Sequence, residues 1–122
     1  MTGVSRILIL AAGLFGAAGV DLSAAAAHID GNVLRPAASF LLVHAPALLA
    51  AGLWGATLPG RTVLNAGALL LVFGVALFSG DLVMRAYLGH RLFPMAAPAG
   101  GLLTIAGWLV VAASAWATRR ET

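Results

Sequence analysis

Four long apolar runs separated by short polar breaks make up this chain. The first extends from about residue 4 to 27 and is interrupted only by Ser5, Arg6, Asp21 and Ser23. About 20 apolar residues cross a bilayer as a helix, so the run predicts a first membrane span. The same stretch also has the layout of a signal peptide, with Arg6 ahead of an apolar core from Ile7 to Val20 and Ala24, Ala25 and Ala26 at a cleavage position. The expectation taken is a span, in which Gly13, Gly16 and Gly19 permit close helix contact.

His28 to Arg35 reads as a first loop, with Gly31 and Asn32 as turn residues. Pro36 suits the first turn of the helix that follows, and the second span is expected over about 37–57. It holds His44, an internal Pro46 that removes one backbone hydrogen bond, and Trp54 near its far end, an interfacial position. Leu58, Pro59, Gly60 and Arg61 form a tight connection to a third span over about 62–88, whose only polar interior group before Ser79 is Asn65. Residues 89–97, with His90, Arg91 and Pro94, form the third loop. The fourth span, about 99–117, opens with Gly100 and Gly101 and carries Trp108 and Trp116. Short loops make successive helices antiparallel neighbours. The expected fold is all-α: four transmembrane helices in an antiparallel up-and-down bundle, residues 1–122 forming a single transmembrane domain.

Composition agrees. Hydrophobic residues make up 61% of the 122 and charged residues only 9%, with a mean hydropathy of +1.01, against roughly 25% charged in a soluble domain. Lipid covers the outside of such a protein, so its stability comes from helix packing. The absence of cysteine excludes disulfides, thiolate chemistry and cysteine-ligated metals. The seven basic residues are all arginine and are spread along the chain, which excludes a nucleic-acid footprint and fits contact with anionic lipid. Four spans put both termini on one side, with Arg6, Arg61, Arg119 and Arg120; the other side has Arg35, Arg85 and Arg91. That bias favours cytoplasmic termini under the positive-inside rule.

The candidate chemistry lies in one half of the bundle. Asp81 and Arg85 are four residues apart, on one helix face, with the acid on the favourable N-terminal side. They read either as a polar site for a proton, an ion or a lipid headgroup, or as an ion pair with Arg85 reaching the headgroups. Asp21 and His44 lie at a similar depth, roughly 10 Å from the ends of their spans at about 1.5 Å per residue. His28 follows Asp21 by seven residues and shares its face, and Thr104 falls in the same half. The other half has only Asn65 and Ser114. Asp21, His28, His44, Asp81 and Arg85 are therefore the candidate intramembrane cluster, with His44 as its titrating member, or else an interhelical network that fixes register. No cofactor is expected. Haem bound by two histidines needs a second ligand at the depth of His44, zinc lacks ligands, and no phosphate loop is present. Ser79, His44 and Asp81 make a triad only on paper, with no nucleophile elbow.

The segment Leu77-Phe78-Ser79-Gly80, the stretch from Pro94 through Pro98 to Gly100 and Gly101, and Ala106-Gly107-Trp108 stand in the order found in a family of small membrane proteins. The chain resembles the domain of unknown function 423 family, similar to transmembrane protein 256. His44-Ala45-Pro46-Ala47-Leu48-Leu49 matches a further family segment except at Pro46, and Ala27-His28 matches the histidine that closes the family's first span. Asp81 and Arg85 depart from the family pattern, which has a small polar and an apolar residue there. The resemblance implies four spans and a bacterial inner-membrane location, and no activity. The expected function is a non-catalytic accessory or structural subunit of a larger inner-membrane complex, of a respiratory kind, with membrane lipids and a protein partner or further copies around it and no nucleic acid. The alternative is a small transporter or a ligand- or lipid-binding protein using a polar half-pocket around Asp21, His44, Asp81 and Arg85.

Overall fold

The computed structural model describes residues 2–58 and 61–120, with side chains through Ala117. Four helices follow in order: α1 Gly3–Ala25, α2 Gly31–Gly55, α3 Arg61–Leu88 and α4 Ala96–Arg120. All four are long and apolar enough to cross a bilayer. Helix α1 starts cleanly because the Thr2 hydroxyl accepts the Ser5 backbone N–H at 3.1 Å, satisfying one of the donors that every helix start leaves open. Helix α3 stops at Gly89, whose φ of +76° takes the left-handed conformation and whose N–H returns to the Arg85 carbonyl at 3.1 Å.

Two helices begin earlier than the sequence reading expects. Helix α2 starts at Gly31 rather than near Ala37, so Pro36 lies inside it. Its ring leaves only the Asn32 carbonyl without a helical donor, and Asn32 is exposed in the first turn. Helix α4 starts at Ala96, and Pro98 falls in its first turn, where a missing N–H removes no helical bond. Met95, immediately before it, has a φ of +69°.

Among the described residues the helices pack in chain order, α3 most extensively on α4 and α1 on α2, with α2 against α3 and α1 also reaching α3. Among the described residues the backbones of α1 and α4 do not approach each other, so the antiparallel bundle is open, not a closed ring. One apolar cluster, including Leu22, Leu34, Leu41, Val75 and Leu82, fills the end away from the termini. A second, including Leu8, Ala12, Leu48, Ala68 and Leu71, fills the other end. Large side chains such as Leu10, Val20, Phe73, Leu102 and Leu109 point outward, as they must when hydrocarbon is the solvent. Trp54 and Trp116 are exposed near the helix ends on the side of the termini, at interfacial positions.

Small residues set the closest approach. Gly67 and Gly74 on α3 face Gly100 and Gly107 on α4, each pair seven residues apart. A methyl on Gly100 would come within 2.5 Å of the Phe78 nitrogen and 2.7 Å of the Gly74 carbonyl oxygen, and one on Gly74 within 2.7 Å of the Thr104 nitrogen. Backbone meets backbone along this seam, as membrane helices rich in small residues allow. In α1, Gly19 seats Leu42, whereas Gly13 faces open space.

Candidate functional site

Asp81 sits on the side of α3 that faces the third loop and is completely buried. One carboxylate oxygen accepts from Nη2 of Arg85 at 2.7 Å, and the other accepts the backbone N–H of Leu92 at 2.8 Å. The first bond follows from the four-residue spacing on a helix. The second ties the loop between α3 and α4 back onto α3. Both are charge-assisted, the stronger class of hydrogen bond, and together they use both oxygens of the acid. Arg85 keeps 28% of its side chain exposed, while its buried Nε has no hydrogen-bond partner among the described residues.

His44 is buried in α2 and spoken for on both nitrogens. Nδ1 lies 2.7 Å from the Phe40 carbonyl oxygen, which only accepts, and Nε2 lies 3.0 Å from the indole N–H of Trp108, which only donates. The two neighbours therefore select the Nδ1–H tautomer. The imidazole packs between Phe40 and Trp108, with ring centroids 5.5 and 5.7 Å away, and joins α2 to α4 across α3. Two turns away along α2, the Ser79 hydroxyl donates to the Ala37 carbonyl at 3.0 Å and joins α3 to α2, beside stacked Phe40 and Phe78. Thr104 donates to the Gly100 carbonyl at 2.8 Å within α4.

Replacing Trp108 with phenylalanine removes the donor to Nε2 and keeps the ring. It is expected to lower stability by about 1 kcal/mol, the size of an interhelical hydrogen bond in a bilayer. Combining it with His44→Phe should then cost less than the two single changes added together. Reversible unfolding in mixed detergent measures all three variants. A Trp108→Phe protein as stable as the parent would show that the contact carries nothing.

The remaining candidates lie elsewhere. Asp21 is exposed on α1 and lines a groove of about 550 Å³ between α1 and α3, floored by Leu41 of α2. Among the described residues its carboxylate has no hydrogen bond or ion pair. His28 is exposed in the turn after α1, and His90 in the third loop lies 3.0 Å from the Arg91 carbonyl through Nδ1. The structure thus joins Asp81 to Arg85 but seats His44, Asp21 and His28 in three separate surroundings. These residues share a depth, not one cavity. No hydrogen bond links Ser79, His44 and Asp81 to one another. Among the described residues no three His, Asp or Glu side chains gather as a metal ion would require. A second groove, about 250 Å³, runs between α2 and α4 beside Trp54 and Trp108.

Three polar contributors escape the sequence reading. The Leu92 N–H is a loop backbone group and carries no side-chain signal. Trp108 does carry one, because an indole N–H in mid-span calls for an acceptor. Tyr87, the single tyrosine, stands in the last turn of α3 on the wall of the Asp21 groove.

Residues 9–101 match the family described as Protein of unknown function (DUF423). The chain is 31% identical over 110 residues to a UPF0382 membrane protein of Staphylococcus saprophyticus, covering 88% of this chain and 87% of that protein. It is 33% identical over 101 residues to a UPF0382 membrane protein of Staphylococcus haemolyticus, covering 81% and 78% of the two. No solved structure matches it significantly. With its four membrane-length helices and this match over most of its length, the chain belongs to the DUF423 family of small multi-pass membrane proteins.

Proposed function

We propose that this protein is a non-catalytic accessory or structural subunit of a larger assembly in the bacterial inner membrane, with both termini in the cytoplasm. One observation carries the reading. The buried polar side chains Asp81, His44, Ser79 and Thr104 are bonded to the protein's own helices and loop. Chemistry of that kind holds helices together and leaves little for a substrate. What the molecule offers outward is apolar helix surface, on an open array whose terminal helices α1 and α4 each have an uncovered side. Its described turns are short, so contact with other proteins falls on those lateral faces. The cytoplasmic placement of the termini rests on Arg6, Arg61, Arg119 and Arg120.

Mild-detergent extraction of the tagged full chain, followed by native electrophoresis and mass spectrometry, tests the proposal. A stoichiometric larger membrane partner is the expected result; a free monomer or a homo-oligomer alone would sink it. Single cysteines introduced at Thr2 and at Arg91 test orientation, because the chain has no cysteine of its own. Labelling of Arg91→Cys from outside the cell, with Thr2→Cys protected, is expected.

A further inference from the structure

The groove between α1 and α3 has the polarity of an amphiphile. Its deep end is built by Leu14, Phe15 and Ala76, and its outer end by Asp21, Tyr87 and Leu88. From Leu14 to Asp21 the wall rises about 10 Å, and from Ala76 to Tyr87 about 16 Å, at about 1.5 Å per residue. The apolar part therefore lies toward mid-membrane and the polar part toward the headgroups. Its volume of about 550 Å³ is that of a small-molecule site, roughly 300–1,000 Å³. A helix is about 10–12 Å across with its side chains. A stretch of helix as long as this groove would need more than its volume, and Leu41 of α2 closes the floor between the two walls.

Two groups at the outer end lack partners within the protein. Among the described residues neither the Asp21 carboxylate nor the Tyr87 hydroxyl makes a hydrogen bond, and Tyr87 is half exposed. The contrast with Asp81 is direct: that acid is matched on both oxygens. A carboxylate at membrane depth is costly unless a cation or donors meet it. The wall thus presents one anion and one hydroxyl donor beside an apolar trough.

We propose that this groove binds one phospholipid whose headgroup carries a primary ammonium. The ammonium meets Asp21, the phosphate accepts from the Tyr87 hydroxyl, and one acyl chain lies along Leu14, Phe15 and Ala76. The site is independent of the accessory-subunit reading, because it needs no protein partner. Native mass spectrometry of the full chain tests it, with phosphatidylethanolamine and phosphatidylglycerol of identical acyl chains supplied in equal amounts. The expected result is one retained phosphatidylethanolamine per chain, preferred about tenfold, the factor that one charge-assisted contact carries. Asp21→Asn is expected to abolish the preference and Asp21→Glu to keep it. Asp21→Asn should unfold as the parent does, because among the described residues the carboxylate makes no hydrogen bond or ion pair. Tyr87→Phe should weaken retention of phosphatidylethanolamine. Equal retention of the two lipids by the parent, or an unchanged preference in Asp21→Asn, overturns the proposal. So does a groove found filled by a co-purifying polypeptide that Asp21→Asn releases.

Discussion

Gly100→Val is expected to be the most damaging single substitution in the chain. At this position the added Cβ would meet backbone, the Phe78 nitrogen at 2.5 Å and the Gly74 oxygen at 2.7 Å. Backbone inside a packed helix cannot swing aside as a side chain does, so α3 and α4 must separate along the seam. Overpacking a core generally costs about 1–3 kcal/mol, and a backbone clash lies at or above the upper end, so a loss of about 3 kcal/mol is expected. Gly101 supplies the control. A Cβ there meets nothing within 4 Å, and alanine favours a helix over glycine by about 1 kcal/mol. Gly101→Ala should therefore leave the protein as stable or slightly more so, while Gly100→Ala destabilises it. The two variants differ by one position along the chain and are predicted to differ in sign. Detergent unfolding followed by circular dichroism decides it, and two similar curves would mean that the seam is not tight.

The second large effect is expected at Asp81. Asp81→Ala leaves the Leu92 N–H without its acceptor and Arg85 without its counter-ion. Breaking a buried pair by removing one partner costs about 3–5 kcal/mol. Arg85 keeps part of its side chain exposed and can reach toward the headgroups, so the lower end, about 3 kcal/mol, is expected. Asp81→Asn keeps an oxygen able to accept from Leu92 and should fall between parent and alanine. Adding Arg85→Leu to Asp81→Ala should recover part of the loss, because no uncompensated charge then remains. Hydrogen exchange at the Leu92 amide reports the local event separately, and its protection should vanish in Asp81→Ala. If that amide stays protected, the loop is held by something other than the acid.

The four spans were legible because the apolar runs are long and their breaks are short. Their starts were less so. Pro36 invites a helix to begin at it, yet a helix accepts a proline near its exposed start for the loss of one bond. Depth was legible as well, because counting residues from a helix end gives height in the bilayer. Direction around the helix was not. In a soluble helix the polar stripe shows which side faces outward; here lipid and core are both apolar, and the sequence carries no such stripe. Asp21 and Asp81 consequently read alike, although one is enclosed by its own protein and the other faces a groove. Short connections also hid the fact that, among the described residues, the backbone of α4 stays clear of α1. The bond between His44 and Trp108 joins residues 64 apart, and nothing in the spacing of either residue reports it.

The uneven packing has a mechanical consequence. Contacts are dense within the α1–α2 hairpin and within the α3–α4 hairpin and sparser where α2 meets α3. Each hairpin is therefore a stiff plate, and the two are held face to face by smaller fastenings, such as the Ser79 hydroxyl on Ala37 and the Trp108 indole on His44. A bilayer that thins or bends would therefore load that joint before it deforms either hairpin.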